Sequence, residues 1–173
     1  WLDTLADGVV VVLDPGATFA GLAEPLRDRV LARTDVWTGN ADEAAALTGV
    51  RGMREAAEVV ATLLAPDAVT IVRDGARGCA VRESGRTTHC PGHPQRPVDT
   101  NGAGDTHTGV LLAERATGAS WADAAARANA AGAIKPSVST VSVACGSTGT
   151  TAAGEDVGGA AKATGTTGVA GAP

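Results

Sequence analysis

The sequence predicts an α/β layer fold whose sheet is mostly parallel. Three observations support this. Gly8–Leu13 is a continuous β-branched run, which is typical of a strand covered on both faces. Segments with helical spacing alternate with short apolar runs along the first 134 residues. The chain has 173 residues, 44% hydrophobic and 19% charged, which fits a single globular domain.

The first third of the chain predicts two strands and two helices. Gly8–Leu13 is the first strand, because the turn residues that begin at Asp14 end its apolar run. Leu22–Arg33 has helical spacing with a proline near its start, where proline is tolerated. Val36–Thr38 is a short strand candidate. Asn40 then opens a helix that a glycine closes after Leu47.

The middle of the chain predicts an amphipathic helix followed by three strands. Met53–Leu64 carries its apolar residues on one helical face. Ala68–Val72 is a strand, and the turn Asp74–Gly78 connects it to a hairpin partner, Cys79–Arg82. Arg86–Cys90 is a further strand candidate.

The last predicted elements are two helices. The first runs from about Gly104 to Ala116 and is followed by a turn. Ser120 is a good cap for the second, which extends from Trp121 to about Ile134 and is ended by Pro136. Residues 1–141 are therefore expected to form the folded domain. Residues 142–173 are rich in Gly, Ala and Thr and are expected to be a disordered tail.

Composition argues against several classes of partner. The net charge of −5 and the scattered basic residues argue against a nucleic-acid surface. No apolar run approaches the ~20 residues of a membrane helix. Three cysteines do not make a disulfide framework, so a reducing, cytoplasmic setting is expected.

The run Asp99-Thr100-Asn101-Gly102-Ala103-Gly104-Asp105 carries the strongest functional signal. It predicts a glycine-rich loop that enters a helix. The free amides and positive dipole of a helix N-terminus attract phosphate, and glycine lets a ligand approach the backbone. Asp105 would be unfavourable beside an anion unless it acts as a base for a hydroxyl that attacks a phosphoryl group. The run has neither the Walker nor the dinucleotide spacing.

Four motifs together resemble the ribokinase-like (PfkB) carbohydrate kinases. The run that ends at Asp105 resembles the C-terminal signature of that family, and Asn40-Ala41-Asp42-Glu43 resembles its Asn-x-x-Glu motif. Val72–Cys79 is similar to its strand and Gly-x-x-Gly turn, and Ala128–Ala131 to a late helix near the adenine. The resemblance extends from about Gly8 to Ile134. It implies a ribokinase-like three-layer sandwich, present only as its C-terminal half.

The resemblance implies a role for each matching residue. Asp105 would be the catalytic base, and the amides of Gly102, Ala103 and Gly104 would form the anion hole. Asn40, Gly75, Gly78 and Asn129 would contact or border the nucleotide. Glu43 would hold Mg²⁺ through water, and Asp99 would lie at a monovalent-cation site, with K⁺ as the candidate ion. The substrates would be ATP and a sugar, and the whole protein could form a homodimer.

Each implied role has a structural alternative. Asn40 with Glu43 also fits a capping box, and Gly75 with Gly78 fits a hairpin turn. Asn129 could face solvent, and Asp99 could form a turn. Further alternatives concern single side chains. They are a zinc site at Cys79, His89, Cys90 and His93; a packing role for His107, Trp37 and Trp121; and a solvated turn rather than a phosphate contact for Arg77.

The chain departs from the family pattern in three places. The N-terminal half that supplies the sugar pocket of the family is not present before Trp1, so this chain alone is expected to be inactive. The sequence after Ile134 does not continue the family pattern, and Arg73 stands where a small hydroxyl residue is common. The main hypothesis is therefore the nucleotide-binding, catalytic half of a sugar kinase. A non-catalytic nucleotide-binding remnant and a purely structural fragment are the alternatives.

Overall fold

The structure is a computed structural model that describes residues 2–94 and 100–134. Each of the ten predicted segments corresponds to one element, with ends that differ by up to four residues. The strands are β1 (Val12–Leu13), β2 (Val36–Asn40), β3 (Val69–Arg73), β4 (Cys79–Glu83) and β5 (Arg86–Cys90). The helices are α1 (Glu24–Ala32), α2 (Ala41–Thr48), α3 (Met53–Ala61), α4 (Ala103–Ala116) and α5 (Trp121–Ile134). Asp99 and the predicted tail at 142–173 lie outside the described residues.

The five strands form one sheet in the order of the sequence. β1, β2 and β3 pair in parallel, and β4 pairs antiparallel with both β3 and β5. Four of the five strands therefore point the same way. The antiparallel section is a meander, which needs only the short connections that the sequence provides between residues 73 and 86.

Helices cover both faces of the sheet, so the described part of the chain has three layers. Along each strand, successive side chains enter opposite cores, as a period of two requires. Ile71 packs towards α4 and α5, whereas Trp37 and Val72 pack towards α2 and α3. The residues that α5 buries in this core are alanines, Ala124, Ala125 and Ala128, which lets that helix lie close to the strands. The predicted three-layer fold is confirmed.

The prediction of a long first strand buried on both faces is wrong. Only Val12–Leu13 pairs as β1, and Val9 and Val10 are 43% and 64% exposed. In the described chain β1 has a neighbour on one side only, so the valine run lacks the second strand that would bury it. Arg33 instead donates to the carbonyl of Val9, and the Val11 amide donates to Asp35.

The parallel strands place their carboxyl ends at one edge of the sheet. β1 leads to Asp14, β2 ends at Asn40 and β3 ends at Arg73. In open α/β sheets this edge is where ligands bind. None of the helices described is both long and apolar enough to span a bilayer.

Candidate active site

A cleft of about 630 Å³ opens at the carboxyl edge of the sheet. Every predicted site residue within the described ranges lines it, although these residues come from four separate parts of the chain. They are Asn40, Glu43, Gly75, Gly78, Gly102, Ala103, Gly104, Asp105 and Asn129. The remaining predicted residue, Asp99, lies outside the described residues.

The glycine-rich loop forms the N-terminus of α4, as predicted. Gly102 is the N-cap residue, with φ 72° and ψ 7°, a left-handed conformation that favours glycine. The amide of Ala103 donates to the carbonyl of Thr100 at 3.2 Å. The amides of Gly102 and Gly104 have no backbone acceptor among the described residues. Two of the three predicted anion-hole donors are therefore unpaired within this part of the structure.

Asp105 occupies the first turn of α4, is exposed and faces the cleft. Its carboxylate forms no hydrogen bond or ion pair with another described residue. The carboxylate lies on the same helical turn as the amides of the glycine-rich loop. This proximity is what proton removal during phosphoryl transfer requires.

Asn40 and Glu43 form the capping box that was the structural alternative for them. Asn40 Oδ1 accepts from the Glu43 amide at 2.8 Å, and Glu43 Oε2 accepts from the Asn40 amide at 2.8 Å. The box uses one polar atom of each side chain. Asn40 Nδ2 and Glu43 Oε1 remain available on residues that line the cleft, so capping and ligand binding are compatible here.

Gly75 and Gly78 lie in the turn between β3 and β4, yet they meet different surroundings. A Cβ on Gly75 would have no atom within 4 Å, whereas a Cβ on Gly78 would lie 2.1 Å from the carbonyl oxygen of Cys90. Gly78 is therefore required by the packing of the chain against itself. Arg77, on the same turn, forms two 2.7 Å bonds with Asp74 and is 75% exposed, which agrees with a solvated turn.

Asn129 is buried on α5 and hydrogen-bonds both to α4 and to the chain at the end of β5. Its Nδ2 donates to the carbonyls of Cys90 and Pro91, at 3.1 and 3.0 Å. Its Oδ1 lies 3.1 Å from Nε2 of the buried His107. Since both amide hydrogens are used, Oδ1 must accept and His107 Nε2 must donate. Asn129 is thus not a solvent-facing residue.

His107 is held neutral. Burial, and next to it the charge of Arg73, lowers the pKa of His107 to about 4, against the effect of its bond to Asn129. Its Nδ1 is buried and has no partner among the described residues. The ring therefore packs as an uncharged side chain between α4 and α5, which agrees with a packing role.

We expect the neutral His107 to make folding pH-dependent between about pH 6.5 and 4. Its pKa is lower in the folded protein than in the unfolded chain, so the unfolded chain binds more protons in this window. The free energy of unfolding should therefore be fully retained above pH 6.5 and fall on acidification, by about 2–3 kcal/mol from this residue. Urea unfolding at several pH values measures the slope.

His107→Gln is the matched control, because Gln can donate to Asn129 without titrating. Its stability should change less over the same window, while the other titrating groups contribute equally to both proteins. Parallel pH profiles of the two proteins would contradict the assignment of the slope to His107.

A cluster of Asp14, Arg73 and Thr108, of which Asp14 and Arg73 line the cleft, was not predicted as part of the site. Arg73 forms an ion pair with Asp14 at 2.9 Å, and Thr108 donates to the same carboxylate at 2.7 Å. Asp14 and Thr108 are 94 positions apart in sequence. No local sequence pattern links such distant positions. The only sequence signal for this cluster was Arg73, which stands where the family commonly has a small hydroxyl residue.

The structure does not support the zinc alternative. Among residues 2–94 and 100–134, no three His, Cys, Asp or Glu side chains lie close enough together to bind a metal ion. Cys79 and Cys90 are buried core residues, paired across β4 and β5. The His89 ring lies 2.9 Å from the carbonyl of Arg77. Trp37 is fully buried, and Trp121 packs at the edge of the core beneath Arg115.

Known proteins resemble the chain in both sequence and structure. The family model for pfkB family carbohydrate kinases matches residues 6–148. A ribokinase from Haemophilus influenzae is 33% identical over 109 residues, which are 61% of this chain and 34% of that protein.

Two solved structures share the fold. A candidate ribokinase II from E. coli, in complex with ATP and Mg²⁺, has a TM-score of 0.64 and 26% identity, over 75% of this chain and 43% of that one. A fructokinase double mutant from Vibrio cholerae, with fructose, ADP and potassium ion, has a TM-score of 0.61 and 26% identity, over 75% and 45%.

The chain spans about a third of the length of the ribokinase relative and less than half of the two solved chains. The family match nevertheless covers most of the sequence, and the four motifs surround one cleft. The chain belongs to the pfkB family of carbohydrate kinases.

Proposed function

We propose that this chain is the nucleotide-binding and catalytic part of an ATP-dependent sugar kinase. The observation that carries the proposal is the meeting of two features in one cleft. The N-terminus of α4 brings two amides and the carboxylate of Asp105, none of which has a partner among the described residues, and the N-terminus of α2 brings Asn40 and Glu43. The family membership and the ATP and ADP complexes of similar proteins support the same reaction class.

Asp105 would take the proton from the sugar hydroxyl as its oxygen attacks the γ-phosphorus of ATP and the bond to ADP breaks. The amides of Gly102 and Gly104 would donate to the transferring phosphoryl group. The Ala103 amide would join them by exchanging its bond with Thr100. Because the transition state of phosphoryl transfer is loose, fixed donors and positioning supply most of the catalysis.

Glu43 would hold Mg²⁺ through water, using the oxygen that the capping box leaves free. One carboxylate combined with phosphate oxygens is a usual donor set for this ion. Bound Mg²⁺ neutralises charge on the phosphates. We assign Asp99 to a monovalent-cation site, with K⁺ as the ion, on the motif resemblance and on the potassium complex of the similar fructokinase.

The remaining residues would bind the nucleotide. Asn40 would contact the phosphates through Nδ2, and the open space at Gly75 would let the turn approach the ligand. Gly78 would shape that turn by packing against the strand behind it. Asn129 would form the wall near the base rather than donate to it, because its amide hydrogens are already used.

We expect the chain by itself to bind nucleotide without turning over sugar. It spans less than half of the similar solved chains, and closure over both substrates is a common requirement of kinases. The second candidate function, a non-catalytic nucleotide-binding remnant, shares this binding but not the activity. An active longer protein containing this chain would distinguish the two.

Calorimetry with ADP and Mg²⁺ on the 173-residue chain tests the proposal. A folded chain should bind one ADP, and EDTA should weaken the binding. Absence of binding heat from a sample with native circular dichroism would reject both nucleotide-binding functions and leave the structural fragment.

Glu43 offers a matched pair of variants for the metal role. Glu43→Gln keeps an oxygen acceptor for the cap but loses the charge, so unfolding should be unchanged. The affinity for ADP with Mg²⁺ should fall about tenfold, as for loss of a charge-assisted contact.

Glu43→Ala should lose the same affinity and, in addition, about 1 kcal/mol of stability from the missing cap. Equal magnesium dependence of ADP binding in the wild-type and Gln proteins would show that Glu43 acts only as a cap.

A further inference from the structure

Arg73 joins three elements beneath the start of α4. It stands at the end of β3, and its Nη1 donates to the carbonyl of Gly104 at 2.9 Å and lies 3.3 Å from the Thr108 hydroxyl. Its Nη2 contacts Asp14, beyond β1, at 2.9 Å. Thr108 closes the cluster by donating to Asp14. The guanidinium therefore links β1, β3 and the first turns of α4.

The position of the Arg73 guanidinium carries an electrostatic cost. The N-terminus of α4 already carries a partial positive charge, and a cation beside it is unfavourable. The Arg73 side chain is only 11% exposed, so part of its hydration is also lost. Asp14 offsets the charge of Arg73, while the amides of Gly102 and Gly104 have no backbone acceptor in the part of the chain that the structure describes. The loop amides and the guanidinium could together stabilise a bound anion.

The contact with Gly104 ties the guanidinium to the loop itself. A Cβ on Gly104 would lie 3.1 Å from Arg73 Nη1, so Arg73 approaches the loop at a point where the backbone has no side chain. Movement of the guanidinium would move the carbonyl of Gly104, a residue that lines the cleft. Arg73 also lines the cleft.

We propose that Arg73, held by Asp14 and Thr108, is a positioning residue that fixes the α4 loop for the nucleotide phosphates. This inference rests on the proposed function and adds to it a cluster that local sequence did not reveal. Asp14 is the essential anchor, because its carboxylate holds Arg73 and Thr108 together.

Asp14→Asn is expected to change phosphate affinity in the direction opposite to the one that charge alone would give. Asp14→Asn removes a negative charge close to a phosphate site, which by charge alone should strengthen binding. If Asp14 positions Arg73, the same change should weaken the binding of pyrophosphate and of ADP with Mg²⁺ by about fivefold to tenfold. Arg73→Gln should weaken both by about ten- to a hundredfold.

Two further variants separate geometry from charge. Arg73→Lys keeps the charge but cannot make the three contacts together, so its affinity should lie between those of the wild type and Arg73→Gln. Thr108→Val keeps every charge and should weaken pyrophosphate binding about threefold, as for one hydrogen bond. Urea unfolding of each variant identifies any that is not folded, and Thr108→Val provides a test if Arg73→Gln is not.

Calorimetry with pyrophosphate and with ADP–Mg²⁺ gives distinct outcomes. Tighter binding by Asp14→Asn, or unchanged binding by folded Arg73→Gln, would overturn the inference while the wild-type affinity still supports the proposed function. A wild-type chain that binds neither probe would overturn both.

Discussion

Replacing Asp105 by Asn is expected to lower sugar-kinase turnover by about 10²- to 10⁴-fold, the usual contribution of a general base. The substitution preserves shape and removes only the ability to take a proton. Because Asp105 is exposed, its charge should affect ADP affinity by less than about fivefold. Turnover is measured as ADP release by an active protein that contains this chain, and affinity by calorimetry.

Asp67→Asn is the matched control, since it removes an exposed aspartate that does not line the cleft. It should leave both turnover and affinity unchanged. Equal turnover of the Asp105→Asn and wild-type proteins would reject Asp105 as the base. A large loss of ADP affinity would instead assign Asp105 to ligand binding.

The second large effect is expected from Gly78→Ala. Gly78 has φ 88° and ψ −139°, a conformation that side-chain-bearing residues rarely adopt. The added Cβ would lie 2.1 Å from the Cys90 oxygen and 2.4 Å from the Gly92 nitrogen. Because these are backbone atoms in a paired hairpin, we expect a loss of at least about 3 kcal/mol of unfolding free energy.

Gly75→Ala is the comparison within the same turn. Its φ of 54° lies in the left-handed region, which costs about 1–2 kcal/mol, but the Cβ meets no atom within 4 Å. Urea midpoints should therefore fall far more for Gly78→Ala than for Gly75→Ala. Similar midpoints would contradict the assignment of Gly78 to chain packing. A loss of ADP affinity in the Gly75 variant alone would support close approach of the nucleotide at that position.

The elements were predictable from sequence because their signals are local. The spacing of Met53–Leu64 indicated a helix, and Asn40 and Gly49 gave the start and end of α2. The first strand was predicted too long, because a valine run indicates burial but not whether a neighbouring strand is present to provide it.

The capping box at Asn40 and Glu43 illustrates why the site was only partly predictable. The spacing fits both a cap and a ligand site, and only the structure shows which atoms the cap uses. Asn129 illustrates the same limit. Its place in a helix does not predict that its side chain bonds to the carbonyls of Cys90 and Pro91, at the end of β5.

The sequence by itself determined the layer fold, the family and the residues of the glycine-rich loop, because each depends on short local patterns whose order along the chain can be read directly. Only the tertiary structure decided that Asp14, Arg73 and Thr108 act as one cluster and that Gly78 is required by packing. Those contacts join positions far apart in sequence, and their distances depend on how the strands and helices pack rather than on local conformational preference.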